Sequence, residues 1–540
     1  MSQLREYIVT AKSWEVVDEL CNDIETEGGD LYIPNRKVDV ANPRPISRNT
    51  HYWLTDEEAS LLKKDPRVLA VSLTPKEAGL TIRSYYTQTE TTWAKNTTNT
   101  NTHKNWGLLR CVEGAQRSNW GSNGTTTQSG TIQVNAEGRN VDVVIVDGMI
   151  NPGHPEFNEN IDGISGNTRV IQYNWFQHNA SVWPANPSNT YTYLPYTGGA
   201  GEADNNHGMH VAGTVAGNTQ GWARSANIYN INPYSTDPNG LDALYIFDYI
   251  RAFHAAKPIN PATGKKNPTI CNHSWGYGYE FPMANIANLY YQGAFTNSAP
   301  YSTAELISYG VYSVSPTAYA PARYAALEAD IADAIADGII QVGAASNDYT
   351  KIDVPGGVDY DNYFTDGVYA YYYHRGSSPS AYSDFICVGS VGLTVNEAKS
   401  NFSNCGPRVD IFAPGQSIIS AVHSGGTTDP RNGSFRLAKY SGTSMASPQV
   451  CGVLACALEI YPNMTQAQAK AYIAEYAKTS QMTDTGGSYN DFTSLQGAPN
   501  KYLFYYKERK DSGTTWPKVN YSLRSQSRIS YPRTTIRRTR

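Results

Sequence analysis

Residues 441–448 read Ser-Gly-Thr-Ser-Met-Ala-Ser-Pro and lead directly into an apolar run at 450–458. This pattern predicts a buried helix whose first turns carry Ser444, because Gly442 lets the chain approach closely and proline is tolerated near a helix start. A hydroxyl there lies beside unpaired backbone N–H groups and the positive end of the helix dipole, and both stabilise negative charge. The alternative is an ordinary N-cap serine. A cap requires only one polar residue, so the small residues around Ser444 favour a functional role.

Two upstream segments supply the groups that a reactive serine needs. A serine hydroxyl becomes a nucleophile when a neighbouring base takes its proton and a third group orients that base. Residues 141–147 predict an apolar strand that ends at Asp147, for which a turn or N-cap aspartate is the alternative interpretation. Residues 207–214 predict a small-residue helix that opens at His207. His207 and His210 together raise the competing hypothesis of a metal-binding pair, but no third ligand follows at helical spacing.

In the order aspartate, histidine, serine, these segments resemble the subtilisin-like serine proteases, including the proteinase K branch. The resemblance runs from about Trp106 to about Tyr476. It implies Asp147 as the acid that orients the base, His207 as the general base and Ser444 as the nucleophile. The motifs that carry it lie at 106–110, 143–147, 154–157, 207–213 and 442–448.

Two further segments extend this resemblance. The apolar pattern at 339–347 ends at Asn347, which the resemblance implies as an oxyanion-hole donor together with the Ser444 backbone N–H; a turn asparagine is the alternative. If the next residue, Asp348, lies near the pocket for the residue before the scissile bond, its carboxylate would favour a basic side chain there. Residues 272–276 resemble the cleft wall that pairs with the substrate backbone as an extra strand. The substrate-binding residues implied there are Ser274, Trp275 and Gly276, with a core role as the alternative for Trp275.

Several positions depart from the family pattern without removing these residues. The two residues after Asp147 differ from the usual pair, Met209 stands where a threonine is usual, and Gln449 where a histidine is usual. The loop at 214–226 lacks the insertion that builds one calcium site in some subtilisins. We therefore expect no required cofactor and no metal ligands among the site residues, and the sequence gives no support for calcium.

Charge and hydropathy limit the classes of partner. The 540 residues carry a formal net charge of −5, which predicts no general attraction to nucleic acid, and no apolar run approaches the ~20 residues of a membrane span. Seven cysteines, an odd number without metal-ligand spacing, favour reduced thiols. The first residues lack the apolar core of a signal peptide, so synthesis inside the cell is expected. The compartment is otherwise unknown, and association with a virus particle is one hypothesis.

The chain divides into four predicted regions: a first unit at 1–83, a linker at 84–105, a peptidase domain at 106–480 and an extension at 481–540. Alternating apolar strands and helices in the third region predict an α/β fold, which the resemblance identifies as a three-layer αβα with a mainly parallel sheet. In the first unit, strands at 6–9, 30–33, 51–54 and 68–73 alternate with two helices. This β-α-β-β-α-β order predicts a small α+β ferredoxin-like domain. It resembles the family's inhibitory propeptide, and an unrelated accessory domain is the alternative.

The Thr- and Asn-rich linker predicts self-cleavage between Leu80 and Lys104, with Arg83 and Tyr85 as candidate cleavage-site residues. The first unit would then remain bound as an intramolecular inhibitor. Residues 518–540 carry seven Lys or Arg residues and no acidic ones, which is typical of a solvated tail or a tether to an acidic partner.

The sequence thus predicts an autoprocessed serine endopeptidase that acts on proteins or peptides. The rival interpretation is a catalytically silent structural or interaction protein of the same fold, for example in a virus particle. The lack of a signal peptide, the changed residues after Asp147 and the basic tail motivate it. A decayed scaffold would be expected to lose Asn347 or one of the three residues implied in catalysis, and all four are present.

Overall fold

The structure is a computed structural model. It describes residues 3–32, 38–84, 87–88, 106–114, 134, 136–160, 162–184, 193–196, 206–234, 240–393, 397–487, 491 and 493–506.

The first unit is a four-stranded antiparallel sheet covered by two helices, as predicted. The sheet order is β2-β3-β1-β4, which is the ferredoxin-like order for a β-α-β-β-α-β chain. Thr55 and Glu58 form the reciprocal capping box that starts the second helix. The elements are β1 Arg5–Ala11, α1 Val17–Glu25, β2 Asp39–Pro43, β3 Asn49–Leu54, α2 Asp56–Leu62 and β4 Val68–Leu73, with a short 3-10 helix at Trp14–Val16.

One strand of this unit was predicted at the wrong place. The apolar residues at 30–33 suggested a strand, but Asp30 and Leu31 lie in a turn and the second strand is Asp39–Pro43. Gly28 has a φ of +93°, and Tyr32 N donates to Gly29 O at 3.1 Å, so this stretch closes a turn after α1. Ile33 lies outside the described residues.

The remaining chain forms the larger unit and the segments that join it to the first. The strands are β5 Thr81–Ser84, β6 Thr87–Gln88, β7 Asp142–Val146, β8 Asn227–Ile231, β9 Thr269–His273, β10 Trp275–Pro282, β11 Asn288–Tyr291, β12 Ala294–Ser298, β13 Ser313–Val314, β14 Thr317–Pro321, β15 Ile340–Ala344, β16 Tyr363–Thr365, β17 Ala370–Tyr372, β18 Ile386–Val391, β19 Ile411–Pro414, β20 Ile418–Val422, β21 Thr427–Asp429, β22 Asn432–Ser441, β23 Lys478–Thr479 and β24 Lys501–Tyr502. The helices are α3 Trp106–Glu113, α4 Asn179–Val182, α5 Asn206–Ala216, α6 Ala243–Ala256, α7 Thr303–Ser308, α8 Ala325–Ala336, α9 Thr443–Ile460 and α10 Gln466–Tyr476, with 3-10 turns at Pro155–Phe157, Trp175–His178 and Met283–Asn285.

A mainly parallel eight-stranded sheet lies between two helical layers, which confirms the three-layer αβα prediction. Its order is β23-β24-β19-β18-β15-β9-β7-β8, and only β23 pairs antiparallel. Successive side chains of β7 alternate between the two layers: Val143 and Ile145 join the core that includes α5 and α9, whereas Val144 and Val146 join the core of α6 and α8. Burial on both faces explains why this segment is continuously apolar rather than alternating.

The core of the larger unit continues beyond residue 480, where the extension was predicted to begin. Leu495, Tyr502 and Leu503 belong to the same core as α5 and α9, and β24 pairs parallel with β19. The predicted division at 480 therefore lies inside this unit.

The first unit docks on α6 and α8 through a buried cluster of charges. Arg44 inserts between Asp248 of α6 and Asp330 of α8, with its Nη2 2.7 and 2.8 Å from the two carboxylates, and all three side chains are completely buried. Burial raises the pKa of Asp248, and the Arg44 guanidinium opposes that shift. Asn49 Nδ2 also donates to Asp330, at 3.0 Å. The two carboxylates thus depend on this arginine for charge compensation.

Two general features complete the description. Within the described ranges, no helix is long and apolar enough to cross a membrane. All seven cysteines lie in those ranges and are buried free thiols.

Replacing Arg44 with methionine should destabilise the docked first unit strongly. It would leave two buried carboxylates without their cation, a change that typically costs about 3–5 kcal/mol. Urea unfolding of the full-length chain, followed by fluorescence, measures the effect. The matched control is Arg5→Met, since Arg5 is partly exposed and lies 3.7 Å from its Asp56 partner; it should cost less than about 1 kcal/mol. Equal losses for the two variants would contradict a structural role for the buried cluster.

Candidate active site

Asp147 follows the last residue of β7 and is completely buried. Gly148 N donates to its Oδ1 at 2.8 Å, so the turn after the strand binds the carboxylate that it presents. The side chain of Asn230, on neighbouring β8, donates to the backbone carbonyls of Asp147 and Gly148 at 2.9 and 3.1 Å. These bonds hold the strand end in one conformation.

His207 is the second residue of α5 and lies in hydrogen-bond contact with Asp147. Its Nδ1 is 2.9 Å from each carboxylate oxygen, and its side chain is 2% exposed. A carboxylate only accepts hydrogen bonds when ionised, so this contact places the imidazole proton on Nδ1. The helix can approach so closely because the next residue is Gly208, where a Cβ would collide with the carbonyl oxygen of Gly148.

His210, the other member of the suggested metal pair, is engaged elsewhere. Its Nε2 lies 2.8 Å from Ile418 O, and its ring stacks on Tyr440 at 4.6 Å. Burial lowers the pKa of His210 to about 3, so it is neutral with the proton on Nε2. Nor do the described residues contain any group of three or more His, Cys, Asp or Glu side chains placed to hold a metal ion.

Ser444 is the second residue of α9 and is completely buried. Its Oγ donates to Ser274 O at 3.3 Å, and Ser274 Oγ donates in return to Ser444 O at 3.1 Å. In a regular helix that carbonyl would accept from the N–H four residues later, which Pro448 lacks. Ser274 therefore supplies a donor that the helix itself does not.

Helices α5 and α9 pack against each other and bring His207 and Ser444 to one end of the pair. A Cβ on Gly452 would meet Val215 O at 2.8 Å, so the two helices are in close contact. Asp147, which binds His207, and Ser274, which binds Ser444, directly follow Val146 and His273, and these two residues pair in β7 and β9. His207 and Ser444 each occupy the second position of their helix.

Asn347 lies beside the start of α9. Its Oδ1 accepts from both Thr443 N and Thr443 Oγ1, each at 2.9 Å. A backbone N–H can only donate, so this contact fixes which end of the amide faces Thr443 and turns the Nδ2 donor to the other side. The neighbouring Asp348 is only 6% exposed, and its N–H donates to Asn404 Oδ1 at 2.9 Å.

The segment predicted to pair with a substrate backbone forms strand β10, and another segment of the same chain, β5, pairs with it. Ser274 precedes β10, in which Trp275 pairs with Ser84 and Gly276 with Arg83 of β5. The opposite edge of β10 pairs with β14 from Gly278 onward. The Trp275 side chain is completely buried in the core, as its alternative interpretation held, so only its backbone contributes to the cleft wall.

A second short strand from the same linker pairs on the other side of Ser444. Thr87 and Gln88 form β6, which pairs antiparallel with Ser441 and Tyr440 at the end of β22. The sequence analysis assigned residues 81–83 to the first unit and 84–105 to a linker, and it missed both pairings, because main-chain bonding leaves no side-chain signature. It also missed Asn230, since no pattern distinguishes this asparagine from one in an ordinary turn.

Taken together, the described residues offer a buried Asp–His pair, a serine at the mouth of the adjoining helix, an amide beside that serine and a strand edge that binds a peptide backbone. A serine, an oriented imidazole and an amide donor are the groups that acyl transfer requires.

Comparison with known proteins agrees with this geometry. Alkaline serine exoprotease A of Vibrio alginolyticus is 25% identical over 358 residues, which are 66% of this chain and 45% of that protein. The extracellular serine proteinase of Thermus sp. (strain Rt41A) is 25% identical over 433 residues, covering 80% of this chain and 71% of that protein. The chain therefore spans less than half the length of the Vibrio relative.

Among solved structures, a cold adapted subtilisin-like serine proteinase aligns with 75% of this chain and 98% of its own, at a TM-score of 0.43 and 21% identity. Residues 138–498 match the model of the Subtilase family, Peptidase_S8. That match covers well over half of the sequence and includes Asp147, His207, Asn347 and Ser444, and the chain therefore belongs to the Subtilase family.

Proposed function

We propose that this chain is a serine endopeptidase that uses Asp147, His207 and Ser444. The observation that carries the proposal is the 2.9 Å contact between His207 Nδ1 and Asp147, at the start of a helix that packs beside the helix of Ser444. With the proton on Nδ1, Nε2 is the basic nitrogen of the ring. The names of the two relatives as serine proteases support the same reaction.

In the proposed mechanism, His207 removes the proton from Ser444 Oγ as this oxygen attacks the peptide carbonyl. Asp147 stays ionised and stabilises the imidazolium that forms. Asn347 Nδ2 and the Ser444 backbone N–H donate to the oxyanion. His207 then protonates the leaving amine, and water hydrolyses the acyl-enzyme by the same sequence of proton transfers.

The pairing of β5 and β6 supports self-cleavage of the intact chain. Ser84 pairs with Trp275, whose preceding residue, Ser274, accepts the 3.3 Å hydrogen bond from Ser444 Oγ. Thr87 pairs with Ser441, three residues before Ser444. Three Cα–Cα steps separate Ser84 from Thr87, a span of at most about 11 Å, and both of these residues pair with segments that adjoin Ser444 in sequence or by hydrogen bond. We place the cleaved bond there, inside the predicted range of 80–104; Tyr85 itself lies outside the described residues.

The same contacts support the first unit as an intramolecular inhibitor. While β5 pairs with β10, its backbone uses the edge that a substrate strand would use. The unit is also anchored away from the cleft by Arg44, and by Tyr324 Oη, which donates to Leu73 O at 2.5 Å. Release of the inhibitor therefore requires more than cleavage of one bond. Proteins or peptides are then the proposed substrates.

A serine-directed phosphonofluoridate should label processed protein at Ser444, and Ser444→Ala should abolish labelling and lower peptide hydrolysis by at least about 10⁴-fold. The matched control is Ser447→Ala. This buried serine of the same helix donates to Asn272 Oδ1 at 2.7 Å and takes no part in the proposed proton transfers, so its variant should still be labelled. Absence of labelling in the unaltered protein would favour the non-catalytic scaffold interpretation.

Purified chain should split over time into two fragments, and their masses should place the new ends between Ser84 and Thr87. The reaction is expected because Ser84 and Thr87, which bound this interval, both pair with segments close to Ser444. Intact-mass spectrometry at successive times measures it, with the Ser444→Ala chain remaining whole under identical conditions. A cut elsewhere in the linker, or fragmentation of the Ser444→Ala chain, would contradict self-cleavage at this position.

A further inference from the structure

The loop that carries Asn347 has a backbone conformation that its own residues disfavour. Ser346 has a φ of +89° and Tyr349 a φ of +42°, both in the left-handed region that residues with a side chain rarely adopt. They lie on either side of Asn347. Such conformations persist only when the surrounding structure imposes them, so the loop depends on contacts made from outside it.

Asn404 makes those contacts on both sides of Asn347. Its side chain is buried, and Oδ1 accepts from Asp348 N at 2.9 Å and from Thr350 N at 3.2 Å. Its own backbone N–H donates to Ser346 O at 3.0 Å. One residue thus binds the chain immediately before and immediately after Asn347, and it satisfies two N–H groups that the loop conformation leaves without a helix or strand partner.

The segment around Asn404 is itself well anchored. Ser400 N donates to Ser390 O of β18 at 2.8 Å, and Ser390 N donates to Ser403 Oγ at 2.9 Å. Ser403 Oγ donates to Asn404 O at 2.8 Å. Asn404 therefore belongs to a fixed segment, and its hydrogen bonds hold the Asn347 loop in place relative to that segment.

We propose that Asn404 is a positioning residue that aims the amide of Asn347 at the oxyanion. The inference rests on the proposed function, and Asn404 itself touches no reacting atom. Asn347 accepts a hydrogen bond from Thr443 at the start of α9. Its amide can therefore reach the oxyanion only if the loop stays in a fixed position relative to α9. Removing the Asn404 side-chain acceptor would release Asp348 and Thr350, which follow Asn347, while the backbone bond to Ser346 O before it remains. A displacement of about 1 Å at such a group typically costs about 10²-fold in rate.

The test is a double-mutant cycle with Asn404→Leu, which keeps the side-chain size and removes the acceptor, and Asn347→Ala. We expect Asn404→Leu to lower kcat by about 10- to 100-fold with KM within about threefold, because the contact matters in the transition state. In the Asn347→Ala background, the same substitution should lower kcat by less than about threefold, because the group that it positions is gone. Peptide hydrolysis is measured on fully processed protein whose active sites have been titrated.

Two further variants separate positioning from general stability. Asn404→Asp retains the acceptor oxygens and should keep kcat within about fivefold of the unaltered enzyme. Asn500→Leu is the matched control, since Asn500 Oδ1 also accepts from a backbone N–H, that of Met482 at 3.0 Å, far along the chain from the site. It should lower thermal stability and leave kcat unchanged. If Asn404→Leu does not yield folded protein, Asn404→Ser takes its place, with a kcat at least fivefold below the unaltered enzyme expected.

An unchanged kcat in the Asn404 variant that folds, or an equal loss with and without Asn347, would overturn the positioning role while the endopeptidase proposal stood. An unaltered enzyme without activity or labelling would overturn both.

Discussion

A carboxylate that is shut off from water must find all of its compensation inside the protein, and the surroundings of Asp147 meet that demand. The N–H of Gly148 and the ring of His207 bind its oxygens, while Asn230 holds the backbone that presents it. Gly208 lets the start of α5 reach the strand end. The sheet then fixes the position of Asp147, because β7 is paired on both sides and ends at the edge where the loops of a parallel sheet converge.

In the proposed function, the same edge of β10 binds the substrate and holds the inhibiting segment. A strand edge binds any extended backbone of matching length through the same N–H and C=O groups. The hydrogen bonds that would bind a substrate are therefore of the same kind as those that bind residues 81–84. What distinguishes the chain's own segment is its tether: the first unit is held on α6 and α8 by a buried arginine. In the proposed inhibition, the high effective concentration of a tethered segment, rather than a special sequence at the cleft, would account for the restraint.

Much of this arrangement could be predicted from the sequence, because the signals were local. The apolar run that ends at Asp147 and the small residues around Ser444 each describe their own neighbourhood. The alternation of strands and helices predicts an α/β fold, which the family resemblance identifies as a three-layer αβα. The contacts that join distant segments could not be predicted. Arg44 gives no sign that its partners lie more than 200 residues away, and Asn404 resembles any asparagine in a turn. The strand expected at 30–33 failed because two glycines turn the chain there, which apolar content alone does not reveal.

Pro448 has an effect that reaches beyond its helix. Because it offers no N–H to Ser444 O, that carbonyl takes a hydrogen bond from Ser274, the residue that leads into β10. The first turn of α9 is thus bonded to the residue that precedes β10, the strand that pairs with residues 81–84, as well as to its own helix. In the proposed function, a peptide bound along β10 would therefore be linked through a single hydrogen bond to the backbone of the serine that attacks it.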